Sequence, residues 1–176
     1  MNCSEYLVDF LIKKGVSDIF GYAGGYIVPF MDALNQRNEI QVHVCYNEQG
    51  CSFAANGYAR IRGNIGVYFT TSGPGAINAL GGLADAWFDG IPLMGICGNI
   101  PTNEQKGYSG IRQNGFQEMD ILSITRSITK YSVTPTDADK FPEIVSRAYN
   151  MATLGRKGGV IIDFPFNIQK ADISGR

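Results

Sequence analysis

The chain lacks a surplus of charge of either sign: 15 basic side chains stand against 16 acidic ones in 176 residues. With no basic excess to neutralise a phosphate backbone, nucleic acid is not an expected partner. Long apolar runs are also missing. None approaches the ~20 residues of a membrane helix, so no membrane partner is expected. Residues 1–11 lack the basic start, apolar stretch and small-residue cleavage pattern of a secretory leader. The four cysteines, Cys3, Cys45, Cys51 and Cys97, contain no CxxC pair and no metal-ligand spacing. Cys45 and Cys97 fall in strand-like apolar segments, where a reduced thiol behaves as a small hydrophobe. These features predict a reducing, cytoplasmic setting.

Several kinds of chemistry lack their residues. His43 is the one histidine; it has no partner at a recognisable spacing and reads as a satisfied core or edge residue. Without a second histidine or a nucleophile-elbow pattern, a Ser/His/Asp or Cys/His hydrolase is not expected. Neither GxGxxG nor GxxxxGK(S/T) occurs, which argues against dinucleotide and Walker-type nucleotide sites. Asp85 and Asp89 are one helical turn apart and read as a solvated face rather than a metal site.

What is present is a globular composition, 44% hydrophobic and 18% charged, at a length suited to one well-buried core. Apolar, β-branched runs alternate with segments of helical period. Strands are expected at 16–21, 39–46, 65–70, 92–97, 128–133 and 159–163. Helices are expected at 4–14, 27–37, 48–62, 74–88 and 138–154, the fourth with Pro74 in its first turn, where a missing N–H costs nothing. Residues 101–116 are polar and glycine-containing and read as a long loop. This alternation predicts a doubly wound α/β fold, with about six parallel strands and helices on both faces. Residues 1–166 form the expected domain, and 167–176 read as a tail toward a following one.

In open sheets of this kind, ligands sit outside the carboxyl ends of the strands. Three suggestive segments, 21–26, 47–51 and 70–78, lie at those ends and are expected to converge. Gly73-Pro74-Gly75 opens a helix, where backbone N–H groups can meet a ligand, although a tight connection explains the same residues. Gly24 and Gly25 make a second turn, suited to positive φ or to close approach of another backbone. Glu48 begins a helix, where a carboxylate complements the dipole and needs no other purpose. It reads equally as a desolvated functional group.

Taken together, these segments resemble the acetolactate synthase and pyruvate oxidase family of thiamine diphosphate enzymes, and in particular its N-terminal pyrimidine-binding domain. The resemblance rests first on Asn47-Glu48-Gln49-Gly50 with Ala54-Ala55-Asn56-Gly57-Tyr58-Ala59-Arg60. It continues through Thr71-Ser72-Gly73-Pro74-Gly75-Ala76-Ile77-Asn78, Asp85-Ala86-Trp87 and Asp89-Gly90-Ile91-Pro92-Leu93. Gly115-Phe116-Gln117-Glu118-Met119-Asp120, Thr129-Lys130 and the closing strand Gly158-Gly159-Val160-Ile161-Ile162-Asp163-Phe164-Pro165 complete it in order. The resemblance implies that Glu48 is the catalytic glutamate that shares a proton with N1′ of the cofactor's aminopyrimidine. It also implies that Gly24, Gly25, Thr71, Pro74 and Asn78 line the pyrimidine site and that Phe116 and Gln117 lie near substrate.

Three residue-level departures stand out. Asn47 occupies the place of a common histidine, and Tyr22-Ala23 replaces a common valine-proline, losing a rigid turn residue. The 102–114 segment is longer than its counterpart and carries Lys106, Arg112 and Gln113. The largest departure is an absence. The family holds the diphosphate through Mg²⁺ on a second α/β domain marked by Gly-Asp-Gly, and no Gly-Asp-Gly occurs here. The resemblance therefore implies a chain that takes only the pyrimidine half of thiamine diphosphate. A diphosphate-binding domain is expected in cis or as a separate subunit, with a homodimer as the expected assembly and no activity for the chain alone. Whether FAD is used is left open, because a middle domain decides it. The alternative is a non-catalytic dimerisation or regulatory module of the same fold.

Overall fold

The computed structural model describes residues 1–107 and 109–173. Six parallel strands make one sheet in the order β2-β1-β3-β4-β6-β5. They are β1 (Asp18–Gly21), β2 (Gln41–Val44), β3 (Gly66–Thr70), β4 (Leu93–Asn99), β5 (Tyr131–Val133) and β6 (Gly159–Pro165). The central strands β3, β4 and β6 are buried along their whole length, the continuous apolar pattern required of strands covered on both faces.

The period-two alternation of a strand sorts these side chains between two cores. Ile19, Val67, Phe69, Met94, Ile96, Val160, Ile162 and Phe164 face one layer of helices. That layer comprises α1 (Cys3–Lys13), α2 (Val28–Asn35) and α7 (Phe141–Thr153), which contribute Leu7, Leu11, Phe30, Phe141 and Val145. Tyr68, Leu93, Cys97 and Ile161 face the other layer, formed by α3 (Glu48–Arg62), α4 (Pro74–Asn78), α5 (Leu80–Asp89) and α6 (Ile121–Thr125). The doubly wound arrangement expected from the sequence is thus the one observed.

Three local differences have physical reasons. The expected helix 74–88 is broken at Ala79, which caps α4 before α5 begins. Residues 121–125 form a helical turn that starts from Asp120, whose carboxylate accepts from the Ser123 N–H at 3.0 Å. The segment expected to leave the domain at 167 folds back as α8 (Phe166–Lys170), with Ile168 and Gln169 buried. Gln169 Nε2 donates to the carbonyls of Tyr26 and Phe164, both at 2.7 Å, and Asp172 bridges antiparallel to Asn2. Residues 174–176 of the expected tail lie outside the described residues.

The long loop is tied down by one carboxylate. Glu118 accepts from the Lys106 N–H and from the Asn114 N–H, each at 2.7 Å, while Lys106 Nζ donates to the Arg112 carbonyl at 2.9 Å. Tyr108, within this loop, lies outside the described residues.

Candidate functional site

The strand order reverses between β1 and β3: the chain leaves β1 toward β2 on one side and β3 toward β4 on the other. Connections departing in opposite directions leave a crevice at the carboxyl ends of these two strands. The segments after β1, β2 and β3 meet there, as the sequence predicted.

Asn47 sets the position of Glu48. In extended conformation it caps α3, its side-chain oxygen accepting from the Gly50 N–H at 2.7 Å. Such a cap satisfies one of the orphan donors of the first turn and fixes where the helix starts. Glu48 is then the first helical residue, half-buried at the crevice. Its Oε2 accepts from Asn78 Nδ2 at 2.8 Å. Its Oε1 has no hydrogen-bond partner among the described residues and lies on the side of Gly75. A Cβ added to Gly75 would come within 3.2 Å of Oε1 and 2.8 Å of Thr71 Cγ2.

Close approach, not backbone freedom, explains the first glycine turn. Gly24 has φ −171°, which any residue adopts, but an added Cβ would fall 2.3 Å from Thr71 Cβ. The β1 turn and the β3 turn therefore pack directly on one another through Gly24 and Thr71. Gly25 faces open space, and Pro74 is exposed in the first turn of α4. Gly73 has φ 55°, and its missing side chain leaves room for the Gln117 carbonyl, 2.4 Å from where a Cβ would stand. Gln117 itself has φ 56°, the one positive value among described non-glycine residues. Hence Gln117 abuts the turn that carries the crevice, with Phe116 beside it and 68% exposed.

The structure thus brings together Gly24, Glu48, Thr71 and Asn78, and sets Pro74, Phe116 and Gln117 around them. Gly25, next to Gly24, has open space where a side chain would stand. Two contributors were not among the expected site residues. Gly75 leaves the carboxylate uncovered, and Ser72 is buried in the same turn with a hydroxyl that has no hydrogen-bond partner among the described residues. Both lie inside the 71–78 motif, which was the available signal.

Other polar groups are accounted for by structure. His43 Nε2 lies 2.7 Å from Asp18 Oδ1, and its ring stacks on Phe20. Hydrogen bonds from Ser17 and His43 hold the Asp18 carboxyl below its usual range. Asp85 and Asp89 both grip the Arg60 guanidinium, at 2.9 and 2.6 Å. Among the described residues no group of three or more His, Cys, Asp or Glu side chains is placed to hold a metal ion. No described helix is long and apolar enough to cross a membrane.

Fold and crevice define a doubly wound α/β domain with one carboxylate, that of Glu48, at the switch point of its sheet. The particular family follows from comparison: residues 1–124 match the model described as thiamine pyrophosphate enzyme, N-terminal TPP binding domain, and the chain belongs to that family. It is similar to acetolactate synthase 1 of Zea mays, 41% identical over 167 residues covering 95% of this chain and 25% of the relative. Acetolactate synthase of Arthrospira platensis is 41% identical over 170 residues, 95% of this chain and 28% of the relative. Acetolactate synthase isozyme 2 large subunit of Escherichia coli (strain K12) is 40% identical over 171 residues, 97% and 30% respectively. The chain spans about a quarter of the length of these relatives, and is the N-terminal domain of an acetolactate synthase-like thiamine pyrophosphate protein.

Proposed function

We propose that this chain is the pyrimidine-binding part of a thiamine diphosphate enzyme acting on a 2-oxo acid, an acetolactate synthase-like carboligase or decarboxylase. The observation that carries the reading is Glu48 Oε1, without a hydrogen-bond partner among the described residues and left uncovered by Gly75, while Asn78 secures the other oxygen. A half-buried acceptor with one oxygen available suits a ring nitrogen that must share a proton.

The residues fit the group. When bound, thiamine diphosphate supplies a thiazolium that serves as electron sink for loss of carbon dioxide from a 2-oxo acid. Glu48 would hold or pass a proton at Oε1 toward the ring nitrogen N1′. Asn78 keeps the carboxylate from rotating. Gly24, Gly25, Thr71 and Pro74 would shape the walls of the pyrimidine site, and Phe116 and Gln117 would stand at its mouth near substrate.

The diphosphate and its Mg²⁺ would be held by another domain, joined in cis or supplied by a separate subunit, in a homodimer whose setting is cytoplasmic. The four unpaired thiols are consistent with that setting. The pyrimidine domain would comprise 1–166 with α8 packed against it, and the residues after α8 would lead toward the other domain. By itself the chain would be inactive.

The test joins the chain to the remaining length of its own protein and follows consumption of pyruvate with thiamine diphosphate and Mg²⁺. Turnover is expected only in the joined form. Glu48→Gln, which preserves shape but not proton exchange, is expected to lower kcat by about 10²–10⁴-fold. Undiminished turnover in that variant rejects the role of Glu48, and turnover by the 176-residue chain alone rejects the division of labour.

A further inference from the structure

All six strands are parallel, so the amino ends of β4, β5 and β6 lie along the edge of the sheet opposite the one that carries Glu48. A cavity of about 430 Å³ opens there, lined by Trp87, Phe88, Lys130, Arg156 and Lys157. Trp87 and Phe88 stand in the last turn of α5, Lys130 precedes β5, and Arg156 and Lys157 belong to the connection from α7 to β6. Phe88 is 69% exposed and Trp87 36%, so two aromatic rings face solvent beside three cations.

Two of the cations are held in place. Lys130 Nζ donates to the carbonyls of Leu154 at 2.9 Å and Arg156 at 2.7 Å. Its stem crosses Gly158, where an added Cβ would stand 3.0 Å from Lys130 Cδ. Arg156 Nη2 donates to the Phe88 carbonyl at 3.1 Å. These bonds cap the ends of α7 and α5, which is an ordinary structural task for such side chains. Capping does not use up their charge. Each helix end carries about half a negative charge, so the two together offset about one of the three positive charges and leave about two. Among the described residues no carboxylate lines the cavity, and Asp89, beside Phe88, is turned to Arg60 at 2.6 Å. Lys130 has three N–H donors and Arg156 five, so both keep donors beyond these bonds.

We propose that this cavity binds a nucleoside phosphate, the base lying against Trp87 and Phe88 and the phosphate held by Lys130, Arg156 and Lys157. The two rings and the methylene stems of the three cations offer apolar surface to a planar base. A phosphate monoester carries about −1.5 to −2 charges near pH 7, which matches the positive charge left over. Neither free phosphate nor an uncharged ring uses both halves of the cavity. Its volume falls within the roughly 300–1,000 Å³ of small-ligand sites. Side chains rather than a glycine-rich loop would grip the phosphate, so the site is compatible with a sequence lacking GxGxxG and GxxxxGK(S/T). It shares no residue with the crevice and does not rest on the role of Glu48.

Trp87 is the one tryptophan of the chain, so its fluorescence reports on the cavity directly. The experiment titrates the full chain with adenosine monophosphate, beside adenosine and inorganic phosphate alone, and repeats each titration by calorimetry. Expected is a saturable change in Trp87 emission with half-saturation at about 1 mM or below, and about 10-fold weaker binding of adenosine and of phosphate. Binding should weaken as salt rises. Lys157→Glu is expected to weaken adenosine monophosphate binding by about 10-fold or more with an unchanged thermal midpoint. Glu48→Gln should bind it as the unsubstituted chain does. No binding by either readout, adenosine or phosphate binding as tightly as the monophosphate, or undiminished affinity in Lys157→Glu would each overturn the proposal. So would binding that is lost once the chain is joined to the remaining length of its own protein, because another part of that protein would then occupy the cavity.

Discussion

Asn78 holds Glu48 from a different helix, its side-chain amide 2.8 Å from Oε2 and the two residues 30 positions apart in sequence. The contact joins the start of α3 to the end of α4, so the carboxylate rests between the connections leaving β2 and β3. Among the described residues only one of its oxygens is hydrogen-bonded, and the opposite oxygen is the one Gly75 leaves uncovered. Ligand-facing and structure-facing roles are divided between the two oxygens of a single side chain.

Removing the amide separates those roles. Asn78→Ala leaves Glu48 intact but free to rotate, at a stability cost below about 1 kcal/mol because the bond is exposed. In the joined protein we expect the thiamine diphosphate concentration for half-maximal activity to rise about 10-fold, with an unchanged thermal midpoint. A large drop in that midpoint would mean that the bond serves the fold.

Covering the carboxylate tests the crevice directly. In Gly75→Ala the new methyl meets Thr71 Cγ2 at 2.8 Å and Glu48 Oε1 at 3.2 Å, and overpacking of this kind costs about 1–3 kcal/mol. Thr71→Ser removes the methyl responsible for the closer contact. The double variant is therefore expected to recover stability in denaturant unfolding while cofactor binding in the joined protein stays weak. Recovery of both would show that Gly75 matters for packing alone.

Asp163 gives the domain a pH dependence of known sign. Its carboxylate is buried on β6, where Oδ2 accepts from Asn99 Nδ2 at 2.7 Å and Thr134 Oγ1 at 2.8 Å. Burial, only partly offset by these bonds, pushes its pKa up from 3.8 to about 7. A folded-state value above the unfolded one means that the native state binds the proton more tightly. Stability from this group is therefore full below about pH 4, declines as pH rises toward 7, and is level above that. The loss is on the order of a few kcal/mol. Asp163→Asn keeps an acceptor for both donors and cannot ionise, so its stability relative to the unsubstituted chain should be greater at pH 8 than at pH 5. Parallel unfolding curves at the two pH values would contradict this.

Gln117 stores strain at the mouth of the crevice. A non-glycine residue at φ 56° costs roughly 1 kcal/mol or more, and glycine adopts this region freely. Gln117→Gly is expected to leave the chain as stable as before or up to about 1 kcal/mol more so. If the side chain works near substrate, the joined protein should show a raised KM for pyruvate. A loss of stability would show that packing of the side chain outweighs the backbone strain.

Most strands and the long helices were legible because apolar periodicity reports burial, and burial is what a two-sided parallel sheet demands. The break at Ala79 was not legible. Residues 74–88 carry helical period throughout, and nothing in that period marks where α4 ends at Ala79 and α5 begins. The fold-back of α8 was hidden as well, since Phe166 and Ile168 are too few apolar residues to announce a packed element. Asn47 read as a departure from a familiar pattern, yet it serves as the cap that begins α3 where Glu48 must stand.

From sequence alone came the alternation of elements, the doubly wound class, the motif containing Glu48 and the lack of a diphosphate-binding signature, because each is written in local pattern. Tertiary structure decided which glycines are obligatory and which oxygen of Glu48 has no partner among the described residues. These depend on atoms brought together from segments distant in the chain or across a turn, and distances of that kind have no period in the sequence.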